Sequence, residues 1–306
     1  MTSFLQKPFV WAVGIILLIL GGVYLLFGSG PSAPPQDQPV VQSHRSYELE
    51  MTSDISNIQP DQSAKITYRV KNDQGEIFKN FATVHEKIMH FIVVRKDLQE
   101  FQHLHPEYNQ ATGEFALNIT FPTNGTYRIF PDFTPAKSAD NPQLLPVTLS
   151  HDIAVGNASN YKAQPVVADN ATTKTLDGYQ ITYAISKSLE AQNPISYTLT
   201  IEKDGQPVKN LQSYLGALGH SVILKADTLD FIHTHAESVN GTGPDITFST
   251  SFPETGIYKT FTQFQHEDKV LTTEYVIAVA QNTATQPNNE QPQHGGGNEP
   301  ASQINH

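Results

Sequence analysis

Cysteine is absent from this 306-residue chain, which excludes disulfides, thiolate metal ligands and lipid attachment through an N-terminal cysteine. Positive charge is scarce. There are 19 Lys and Arg against 30 Asp and Glu, the formal net charge is −11, and no basic cluster occurs. Nucleic acid and anionic lipid surfaces are therefore not expected as partners. Helical periodicity is nearly missing after residue 28, and no Ser or Cys nucleophile motif, Gly-rich phosphate loop or HExxH is found. No enzyme activity and no organic cofactor are expected. A metal would have to be held by His, carboxylate or Met, and His is plentiful, at 12 residues in an acidic chain.

One long apolar run is present, PFVWAVGIILLILGGVYLLF over residues 8–27. It carries no charge and has the length of a bilayer-spanning helix. Trp11 and Tyr24 sit near its ends, and Lys7 puts the positive side at the N-terminus. These features predict a cytoplasmic stretch 1–7, a transmembrane helix 8–27 and an extracytoplasmic remainder, as in a single-pass membrane protein. The small residues Gly28, Ser29, Gly30, Ser32 and Ala33 keep a cleaved signal peptide as the alternative. Residues 28–45, rich in Pro, Gly and Ser, read as a stalk, and residues 281–306 as a disordered tail.

Between stalk and tail the sequence repeats itself. MHFIVVRKDLQEFQHLHPE (Met89–Glu107) aligns without a gap onto GHSVILKADTLDFIHTHAE (Gly219–Glu237), and FPTNGTY (Phe121–Tyr127) corresponds to FPETGIY (Phe252–Tyr258). The copies span 46–156 and 174–280, with a linker over 157–173. His90, His103 and His105 thus match His220, His233 and His235. Short alternating runs such as Ile66/Tyr68/Val70 and Tyr197/Leu199/Ile201, separated by turn residues, predict an all-β chain: two tandem immunoglobulin-like antiparallel β-sandwiches. A lipocalin-like barrel is the competing architecture.

Within each copy the stretches HFIVV and FQHLH read as a hairpin. Centred between Asp97 and Leu98, it sets His90 opposite His105 and Ile92 opposite His103. The second copy, centred near Asp227 and Thr228, sets His220 opposite His235. Period two then puts three imidazoles on one face of each copy, among apolar neighbours that predict an inward-facing patch. Three imidazoles from adjacent strands suit Cu(II) or Zn(II). Asp132 is a further ligand candidate or an acceptor for an imidazole N–H, while Gln263 fills its place in the second copy with His266 close behind. Met89 would add a thioether in the first copy only, since Gly219 replaces it. The remaining histidines, among them His44, His85 and His151, have no repeated partner. The competing function is a metal-free envelope interaction module with structural histidines.

The two histidine stretches and the FPxxGxY element resemble YtkA-like and CopC-like β-sandwich domains of bacterial secreted or membrane-anchored proteins, over roughly residues 47–280. That resemblance implies an immunoglobulin-like fold in the envelope and a role in copper or other heavy-metal handling, with a metal transporter or another envelope protein as partner. HxHP is complete at His103–Pro106 but reads HTHA at His233–Ala236. The N-terminal His used by CopC-type proteins is not offered by an anchored chain.

Overall fold

The computed structural model describes residues 46–138, 142–237 and 241–282, without the side chains of His233 and His235. The expected membrane helix, the stalk and all but the first two residues of the expected tail lie outside the described residues. Among the described residues no helix is long and apolar enough to cross a membrane. The helical content there is one 3-10 turn, Ala158–Asn160.

The first half forms β1 (Glu48–Met51), β2 (Ser63–Lys71), β3 (His90–Arg95), β4 (Phe101–Leu104), β5 (Glu107–Asn109), β6 (Glu114–Thr120), β7 (Gly125–Phe133), β8 (Val147–Thr148) and β9 (His151–Val155). The second forms β10 (Thr173–Leu176), β11 (Tyr179–Ile185), β12 (Ile195–Lys203), β13 (Gln206–Pro207), β14 (Gly219–Lys225), β15 (Phe231–His235), β16 (Asp245–Thr250), β17 (Gly256–His266) and β18 (Lys269–Val279). Two antiparallel sheets make each half. They are β1-β2-β6-β5 and β4-β3-β7, with β8 and β9 both on β7; then β10-β11-β12, with β13 and β16 both on β12, and β15-β14-β17-β18.

Alternation explains the outer sheets. In β12, Ile195, Tyr197, Leu199 and Ile201 are buried while the residues between them are half-exposed. Each sandwich then closes on its own aromatic core. In the first, Tyr68 stacks between Phe91 and Phe115 at 5.2 and 5.4 Å; in the second, Tyr197 stacks on Phe248 at 5.0 Å. The FPxxGxY element pins one corner of each sandwich: the Tyr127 hydroxyl donates to the Thr123 carbonyl at 3.0 Å, and that of Tyr258 to Glu254 at 2.9 Å. Gly125 and Gly256 at φ +144° and +141° supply the backbone shape this corner needs.

The central strands β3 and β14 break the alternation, since every residue in both is buried. A strand that reads as a continuous apolar run is covered on both faces. Phe91 and Val93 face the first sandwich's own core, whereas Ile92 and Val94 join a third cluster with Leu98, Phe130, Val222, Leu224, Leu229 and Phe261. That third cluster belongs to neither repeat alone. Phe101 stacks on Phe261 at 4.3 Å, and Phe231 lies 5.3 Å from Phe130. Because Phe101 corresponds to Phe231 and Phe130 to Phe261, the contact is isologous, as in a two-fold dimer. Lys259 crosses it to donate to the Leu98 carbonyl at 2.6 Å. The linker packs here as well, with Val166 against the cluster and the Gln164 N–H on Asp97 at 3.1 Å. The described residues of both halves fall within one compact unit.

Candidate metal centre

The hairpin registers are those the repeat predicts. Ile92 pairs with His103 across β3 and β4, and His220 with His235 and Val222 with His233 across β14 and β15. The direction of the histidine face is different. It does not point into its own sandwich. Met89, Phe91 and Val93 take that side, so period two sends His90, Ile92 and Val94 the other way, into the contact between the repeats.

Among the described residues one cluster draws on both halves; the sequence suggested one cluster in each. His90, His103 and His220 present ligand nitrogens that all lie within 4.8 Å of one another. His90 and His220 are 4% and 1% exposed, and His103 is half-buried. His105, just past the end of β4, brings Nε2 to 3.3 Å from His90 Nδ1. Asp132 pairs with His90 across β3 and β7 and accepts from the Thr148 hydroxyl at 2.6 Å. Nothing is described of the side chains of His233 and His235.

The spacing matches a shared ion. With metal–nitrogen bonds of about 2.0–2.1 Å, tetrahedral imidazoles have nitrogens about 3.3 Å apart and ring centres about 5.2 Å apart. Ring centres are 5.2 Å apart for His90–His103 and His90–His105, 5.1 Å for His90–His220, 4.9 Å for His103–His220 and 4.8 Å for His103–His105. His90 Nδ1 stands 3.0 Å from His103 Nε2.

The outer nitrogens fix the tautomers. His90 Nε2 faces the Val84 carbonyl at 3.3 Å, and His103 Nδ1 faces Gln263 Oε1 at 2.7 Å. Both oxygens are acceptors, so both ring nitrogens are the protonated ones in a neutral imidazole. The Gln263 amide nitrogen in turn donates to Thr272 Oγ1 at 3.1 Å. The inner nitrogens, His90 Nδ1 and His103 Nε2, face each other, with His105 Nε2 beside them. Orienting acceptors behind each imidazole are what metal-binding histidines have. Burial pushes the His105 imidazole down to about 4, with His90 and Lys87 acting in the same direction, which keeps the ring uncharged at neutral pH.

Two residues named from sequence stand apart. Met89 is buried in the first sandwich's own core. His266 lies between the Tyr179 hydroxyl at 2.8 Å and the Asn210 side chain at 3.1 Å, a satisfied structural histidine. Conversely, sequence gave no sign that Gln263 orients a histidine of the other repeat, or that His85 approaches the cluster.

A family model described as "Domain of unknown function (DUF8832)" matches residues 42–157 and again residues 173–281. No curated protein matches the chain. Among solved structures, Escherichia coli alpha-2-macroglobulin activated by porcine elastase is 9% identical over 78% of this chain and 20% of its own, with a TM-score of 0.26. The chain thus spans only a fifth of the macroglobulin's length. The D0-D1 domain of intimin is 13% identical over 76% of this chain and 97% of its own, at TM-score 0.20. Domains 4 and 5 of the S-layer protein SbsC are 9% identical over 76% and 98%, at 0.21. The sandwich architecture described above rests on strand pairing alone.

Proposed function

The chain belongs to the DUF8832 family, carrying its domain twice, and from that premise we propose that the two copies together bind one transition-metal ion, Cu(II) or Zn(II), between them. His90, His103 and His220 are the core ligands and His105 stands beside them. The protein is non-catalytic, tethered to a bacterial membrane through residues 8–27, and passes metal to or from a transporter or another envelope protein. The kinship with YtkA-like and CopC-like envelope domains is part of the same proposal. The observation that carries it is the convergence of His90, His103 and His220, whose ligand nitrogens all lie within 4.8 Å of one another, with acceptors behind two of the rings. An all-imidazole donor set suits both metals.

Titration of the detergent-solubilised, metal-stripped full chain with Zn(II) and with Cu(II) tests this. One ion per chain is expected, with affinity weakening as pH drops below about 6.5, where imidazoles take up protons. His103→Ala and His220→Ala, in different repeats, should each abolish the same single site. Two ions per chain, or a site lost in one variant and kept in the other, would refute sharing. No binding to the wild type would leave the histidines structural, as in the metal-free interaction module.

A further inference from the structure

The turn that precedes β3 carries two side-chain-bearing residues in the left-handed region, where its counterpart carries one and a glycine. Val84 and Lys87 bridge it with mutual backbone hydrogen bonds of 2.8 and 3.1 Å. The two residues between them, His85 and Glu86, both lie in the left-handed region at φ +50° and +65°. This is the backbone of a type I′ turn, a place for Asn-Gly rather than for two residues carrying a Cβ and longer side chains. The second repeat closes the same turn, Tyr214 to Ala217, with Leu215 at φ +55° and a glycine, Gly216, at φ +79°, so the repeats differ at Glu86.

His85 is half-buried, with its ring centre 6.2 Å from that of His90 and 6.0 Å from that of His220. Those distances exceed the separations within the cluster by about an ångström, within the reach of a side-chain rotation. Its neighbours Glu86 and Lys87 are exposed, so the turn stands where the cluster meets solvent. The second repeat's turn lies alongside, with a Cβ at Gly216 falling 4.0 Å from Glu86 Cγ. The two turns thus lie side by side, and only one of them carries a histidine. Val84, in the same turn, supplies the carbonyl behind His90.

We propose that His85 is a further metal ligand, carried by an exposed turn beside His90 and His220 and reaching the ion by a side-chain rotation. This rests on the shared-site reading, which the experiment can judge separately. His85→Cys introduces the chain's single cysteine. Loaded with Co(II), the variant should show a near-ultraviolet thiolate-to-cobalt charge-transfer band, which reports contact at position 85 alone. His85→Asn places a residue suited to left-handed backbone there. Its metal-free form should melt at or above the wild-type temperature, while its Zn(II) affinity falls about tenfold to a hundredfold. Absence of the cobalt band in a variant that still binds cobalt, unchanged Zn(II) affinity in His85→Asn, or a lower metal-free melting temperature would each overturn the proposal for His85 and leave the shared site standing. Failure of the wild type to bind any metal would overturn both.

Discussion

Across β7 from His90 stands Asp132, held by Thr148; across β17 from His220 stands Gln263, held by Thr272. The same position on the same scaffold offers a carboxylate in one repeat and an amide in the other. The hairpins differ in the same way. Arg95 and Asp97 form a buried ion pair at 2.7 Å capped by the linker, whereas their counterparts Lys225 and Asp227 are 3.8 Å apart with Asp227 exposed. Duplication has kept the aromatic cores and the isologous contact, and has let the polar residues around the contact diverge. A site assembled across a pseudo-two-fold axis therefore need not be symmetric, and each half can supply what the other lacks.

The largest expected effect separates the private cores from the shared one. Phe115→Ala, in the first sandwich, and Phe261→Ala, in the contact, should each cost about 3–5 kcal/mol by the loss of buried aromatic surface and the cavity left behind. Calorimetry reads that cost. Only Phe261→Ala should also weaken metal binding, since the stack with Phe101 holds the two halves in register. Equal metal affinity in the two variants would show that the cluster does not depend on the contact.

Next come the paired hairpins. Asp97→Asn leaves the buried Arg95 guanidinium only the more distant Glu100 carboxylate, at 3.6 Å, as counter-charge and should cost about 2–3 kcal/mol, while Asp227→Asn, at an exposed pair, should cost under about 1 kcal/mol. Denaturant melts of the two variants give the difference. If they match, the linker's contact with Asp97 adds nothing to the first hairpin.

Gln263→Leu probes the amide half of the comparison. Removing the acceptor behind His103 frees its ring to rotate and its tautomer to change, which should reduce metal affinity about tenfold to a hundredfold. Competition with a chelator measures it. Unchanged affinity would mean that His103 is oriented by other neighbours.

Much of this arrangement could be read in the chain itself. The repeat, the strand pairing in both histidine hairpins and the all-β class follow from period two and from turn residues near Asp97 and Asp227. The direction of the histidine face did not follow. HFIVVR and GHSVILK say that both faces are buried, yet apolarity alone does not distinguish a sandwich's own core from a contact with its twin. Pairing Phe101 with Phe261 and Phe231 with Phe130 needs the two-fold relation, which no local pattern encodes. His85 was invisible for the opposite reason. Having Leu215 as its counterpart, it left no mark in the self-comparison on which the other histidines were found.

The smallest effect concerns acid. Burial by itself pushes the Asp97 carboxyl up, but the Arg95 guanidinium and the Gln164 and Gln99 N–H groups more than offset this, so its pKa lies below the ordinary 3.8. A carboxyl with a lower pKa in the folded than in the unfolded state contributes stability that is fully present above the unfolded value. That contribution disappears as pH falls through the folded value. The stability gap between wild type and Asp97→Asn should therefore stay constant from neutrality down to about pH 5, begin to narrow near the unfolded value of about 3.9, and keep narrowing below it. Urea melts at a series of pH values on the two metal-stripped proteins measure the gap directly, without any contribution from the histidines' ion. A gap that narrows already between about pH 7 and pH 5 would assign the difference to an imidazole instead, because only histidines among the side chains titrate there at unperturbed pKa.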